Sequence, residues 1–82
     1  MKIATDPYGE LANAIIIQAV DDYKTALKDY KKAKSDKDRD NIKYRLRPIE
    51  SFFKSDWYSL LTNVDGEMII KRIREQIGVV IA

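Results

Sequence analysis

The chain has 82 residues, with 15 Lys and Arg against 13 Asp and Glu, a formal net charge of +2, and neither Cys nor His. A chain of that length builds one core, since it buries only about 60% of the surface that its unfolded form exposes. The missing Cys and His exclude a disulfide framework, a thiolate metal site and an imidazole base, and the near balance of charge falls short of a dedicated nucleic-acid binder.

The opening Met1 to Gly9 carries Lys2 and Asp6 without an apolar stretch of secretory type, and the run Ala14 to Ile17 is far too short to cross a bilayer. A cytoplasmic protein with no membrane partner is expected. Asp6 and Pro7 have the chemistry of a helix cap and first helical residue, because the Asp oxygen can accept a free backbone N–H and Pro has none to satisfy. From there Ala12, Ile16, Val20, Tyr23, Leu27 and Tyr30 recur at intervals of four and three, which draws one apolar stripe along a helix running to about Lys34. Ile15 and Ile17 flank that stripe, so the front half of this first helix is apolar on more than one face. It is either central to the fold or covered by a partner.

Lys34 to Asn41 holds no apolar residue and alternates in charge, the pattern of a solvated turn, with Ser35 or Asp36 as the next cap. The stripe of the second helix, Ile42, Leu46, Ile49 and Phe53, passes through Pro48, which cannot donate to the carbonyl of Tyr44. One kinked helix is expected, the alternative being two helices with Pro48 in the first turn of the second. Ser55 is placed to cap a short helix over Asp56 to Leu61, and Asp65 to cap the last one, with Val64 and Ile69 at the two positions of a hydrophobic staple. The last helix is expected to bury Ile69, Ile70, Ile73 and Ile77, to show Lys71, Arg72, Arg74 and Glu75 to solvent, and to stop at Gly78. The apolar ending Val79 to Ala82 can pack under the bundle, pair with Lys2 to Thr5, or join a neighbouring chain. The expected fold is all-α: a single domain, residues 1–82 with 1–8 and 79–82 as tails, forming a bundle of three to four helices. It has a long first helix, a kinked second helix and a C-terminal helix-turn-helix corner.

The stretch FFKSDWYSLLTNVDGE, Phe52 to Glu67, concentrates aromatics, acids and a Gly turn, and three chemistries compete for it. With Gly66 as the sixth residue of a calcium loop, the first and twelfth positions would be Leu61 and Arg72, which cannot ligate. Asp56, Asp65 and Glu67 could serve a carboxylate hydrolase, but each has a simpler task at a helix start, and the chain has no Gly-rich phosphate loop. No catalytic residue, metal or cofactor is assigned, and Asp65, Gly66 and Trp57 are given structural roles. Five bulky groups, Phe52, Phe53, Trp57, Tyr58 and Leu61, exceed what one side of a short helix can bury. Trp57 is expected inside, while Phe52 and Tyr58 are the ones to reach the surface as interface anchors, together with Ile15 and Ile17. Lys71, Arg72 and Arg74 on the last helix could instead face a DNA groove.

The block FFKSDWYSLLTNVDGEMIIKRIRE resembles the pattern FFxSDWxxxLTxxDGExxIxxxR of small uncharacterised proteins from phages and conjugative elements of Gram-positive bacteria, and NAIIIQAVDDYKTAL resembles their beginning. The two blocks cover roughly Asn13 to Glu75, and Pro48 departs from the pattern of the middle helix. The resemblance implies an accessory protein of a mobile element and supplies no catalytic residue. The function expected is therefore non-enzymatic: binding of a host or element protein, or of a second copy as a homodimer, with inhibition of a host defence complex of the anti-CRISPR kind. A small DNA-binding regulator is the alternative.

Overall fold

The structure is a computed structural model that describes residues 7–81, with side chains from residue 10 onward. Four helices account for it: α1 (Pro7–Lys32), α2 (Asp36–Phe53), α3 (Asp56–Leu61) and α4 (Gly66–Ile77). No strand occurs among the described residues. The cap assigned to Asp6, any pairing with Lys2 to Thr5, and Ala82 lie outside them.

Each boundary has a local cause. α1 ends at Lys32, about two residues earlier than its apolar stripe suggested, where the Ala33 N–H closes on the Tyr30 carbonyl at 3.2 Å. Ser35 then adopts extended backbone and its hydroxyl accepts from the Asp38 N–H at 3.1 Å, starting α2. α2 continues through Pro48 as one helix. Pro48 lies on the exposed side, where water can serve the Tyr44 carbonyl that loses its intrahelical donor. Ser55 joins α2 to α3: its Oγ donates to the Phe52 carbonyl at 2.6 Å and accepts from the Tyr58 N–H at 3.1 Å. Asp65 caps α4 by accepting from the Glu67 N–H at 3.0 Å. Gly78 ends α4 in the left-handed conformation, φ 78°, which L side chains rarely adopt, and its N–H donates to the Arg74 carbonyl at 2.9 Å.

α2 runs back along α1, so that Asp29 meets Arg45 and Tyr23 meets Glu50 and Phe53. α4 lies beside both, with Lys31 of α1 donating to the Ile77 carbonyl at 2.9 Å. The stripes foreseen for α1 and α2 converge on one core of Tyr23, Ala26, Leu27, Ile42, Leu46 and Phe53, closed by Tyr58, Ile70, Ile73 and Val79. Val79 is thus part of the core rather than of a tail, and Ile81 packs against it, while Val80 between them stays exposed. Because Phe53 packs on Tyr23, the first turns of α1 extend past the end of α2, and Leu11 and Ile17 remain exposed there. The described residues measure 48 × 23 × 17 Å.

Candidate protein-interaction surface

α3 decides which aromatics face outward. Its phase is set by the Ser55 cap, and six residues can turn only one stripe inward. That stripe contains Tyr58, which packs edge-on against Phe52 and Phe53 at centroid distances of 5.7 and 5.5 Å and is 2% exposed. Trp57, one residue earlier and about 100° around the helix, is left 55% exposed, its ring edge-on to Phe52 at a centroid distance of 5.5 Å. The roles expected for these two residues are therefore exchanged: Tyr58 fills the core and Trp57 faces solvent. Phe52 is half-buried at the centre of the aromatic cluster, Ile15 is half-buried, and Ile17 is exposed. Leu60, one turn beyond Trp57, is 84% exposed and was not singled out by its sequence context.

Tyr58 carries a cost. Its hydroxyl is buried with no hydrogen-bond partner among the described residues, and burial, followed by the negative charge of Asp65, raises its pKa. The ring also explains Gly66, because a Cβ there would sit 3.2 Å from Tyr58 Cε2 and would overlap the Phe53 carbonyl. Gly66 lets the start of α4 lie directly on the end of α2.

Between α1 and α4 runs an open groove of about 400 Å³, lined by Val20 and Lys24 on one wall and by Val64, Met68, Ile69, Arg72, Ile73 and Gln76 on the other. Val64 and Met68 are exposed, and Ile17 precedes Val20 by one turn, so the apolar strip extends toward the start of α1. The two staple residues, Val64 and Ile69, share this groove. A second cleft, of about 480 Å³, lies on the other flank of α4, where Glu50, Glu67 and Glu75 alternate with Lys54, Lys71 and Arg74.

The three basic residues of α4 do not share one face: Lys71 and Arg74 line one cleft and Arg72 the other. Lys71 and Arg72 are exposed. Arg74 is half-buried rather than solvent-facing: its Nε donates to the Tyr23 hydroxyl at 2.9 Å and its Nη2 to Glu50 Oε2 at 2.5 Å. It sits four residues after Ile70, on the border of the inward stripe, which is why it reaches the core. Burial alone would lower its pKa, but the hydrogen bonds to Tyr23 and Glu50 outweigh this and the value is raised. The Tyr23 hydroxyl in turn donates to Glu50 Oε2 at 2.5 Å, and burial, reinforced by that carboxylate, pushes its pKa up to about 12. Asp56 and Asp65 both stand at helix starts. Comparison with protein families, with curated proteins and with solved structures returns no match.

Proposed function

We propose that this protein is a non-enzymatic interaction module that binds another protein through the apolar surface of α3 and the α1/α4 groove. The observation that carries the reading is the exposure of Trp57, Leu60, Val64 and Met68 within one short span of chain, the last two lining a groove walled by Val20, Ile69 and Ile73. Large apolar side chains left exposed are what a protein partner buries. The resemblance to phage and conjugative-element proteins supplies a setting, that of a mobile element's protein in the bacterial cytoplasm. Its partner there would be a host protein, with inhibition of a host defence complex as the outcome. A bend of α2 at Pro48 belongs to the same reading, as does a helix-turn-helix geometry of the α3–α4 corner.

The experiment is a pull-down from the lysate of a Gram-positive host with the full chain and with Leu60→Asp, paired with Trp57 fluorescence. A specific partner, lost with Leu60→Asp and shielding Trp57 from a soluble quencher, is the expected result. Retention of no partner by a chain that light scattering shows to be a monomer would sink the proposal.

The DNA-binding alternative needs Lys71, Arg72 and Arg74 on one face, and Arg74 is engaged by Glu50. It predicts a low-salt mobility shift that Lys71→Ala and Arg72→Ala together abolish.

A further inference from the structure

Charge separates the two clefts that flank α4. The one beside Glu50 is balanced, with three carboxylates facing three cations. The α1/α4 groove has an apolar floor and two cations, Lys24 and Arg72, and no acidic residue lines it. Among the described residues neither cation is in an ion pair. The nearest acids in sequence are elsewhere: Asp22 accepts from the Gln18 side-chain amide at 2.9 Å, Asp21 is exposed outside the lining, and Glu75 lines the cleft on the other flank of α4. The groove is therefore polarised along its length, apolar where Val64 and Met68 stand and basic toward Arg72 and Gln76.

From this we infer that the groove accepts an amphipathic helix of a partner protein whose apolar anchors are joined by acidic residues at one end, the end that lies against Arg72. The inference rests on the interaction reading above and names the partner's chemistry. A helix is the fitting occupant because the wall from Val64 to Gln76 spans about three turns, roughly 18 Å, enough for anchors at i, i+3 or i+4, and i+7. Among the described residues there is no strand edge to which an extended peptide could add. The apolar anchors cover Val64, Met68 and Ile69, and the acidic turn meets Arg72 and Lys24, which fixes the direction of the incoming helix. The reverse orientation would bring acids toward Asp65 and leave both cations unmatched.

The test is a display selection with a library of amphipathic helices of about 15 residues, its apolar positions held and its end positions randomised, against the full chain and two variants. Selected sequences should carry Asp or Glu at one end. Selection against Arg72→Glu should lose or invert that preference, and Met68→Asp should enrich nothing. For a selected peptide, fluorescence anisotropy should show affinity falling on the order of tenfold with Arg72→Glu, and falling with salt for the parent chain. Enrichment without acids, indifference to Arg72→Glu, or no enrichment at all overturns the inference. A dimer in light scattering that Met68→Asp dissociates also overturns it, by assigning the groove to a second copy. A host protein still captured in the pull-down and lost with Leu60→Asp would leave the broader interaction reading intact.

Discussion

Gly66 has no room for a methyl group, since the added carbon would overlap the Phe53 carbonyl and press on the Tyr58 ring. Gly66→Ala should cost about 3 kcal/mol in urea denaturation, near the upper end of overpacking effects, because a backbone carbonyl at a helix end cannot swing aside as a side chain can. Tyr58 behaves in the opposite sense. Its buried hydroxyl has no partner among the described residues, so Tyr58→Phe removes a desolvated polar group and keeps the ring. Thermal unfolding should show a variant at least as stable as the parent, by up to about 1 kcal/mol, and a loss of that size would mean that the hydroxyl has a partner in solution. The difference between Tyr58 and Trp57 was not legible in the sequence. Both are large aromatics on one short helix, and only the rotation of α3 against Phe53 and Gly66 decides which is enclosed.

Elements were far more legible than contacts. The stripes of α1 and α2, the caps Ser35, Ser55 and Asp65, and the stop at Gly78 were readable because each depends on a few neighbouring residues whose chemistry is local. Ser55 has the largest consequence for its size. It joins two helices through one oxygen, and α3 is too short to persist without tertiary support. Ser55→Ala should cost about 1 to 2 kcal/mol, the upper range for a cap, and should blue-shift or red-shift Trp57 emission as α3 turns. An unchanged spectrum together with unchanged stability would remove Ser55 as the joint between α2 and α3. The apolar groove was visible only in fragments, as a staple pair and an excess of isoleucine, because its two walls are some forty residues or more apart along the chain and no periodicity links them.

The whole bundle is tied by Tyr23, Glu50 and Arg74, one residue from each of the three longest helices. No sequence pattern announced this set: the pairs are separated by 27, 24 and 51 positions, and although Tyr23 belongs to the α1 stripe, Glu50 and Arg74 lie where a stripe borders its polar flank. It makes stability sensitive to alkali. Because the Tyr23 pKa is raised in the folded chain, from 10.0 to about 12, its contribution is complete below pH 10.0 and is lost as pH rises toward 12. Tyr58, also raised, acts in the same direction. Denaturation across that range should show a fall of about 2 to 3 kcal/mol beyond that of Tyr23→Phe, whose profile should be flatter. Sharing one carboxylate oxygen also means that α4 cannot peel away without disturbing α1 and α2 together. The most protected amide protons of all three should therefore report one common opening free energy in deuterium exchange, while those of α3 open more readily, leaving the helix that carries Trp57 and Leu60 free to adjust its tilt against a visitor while the rest stays shut.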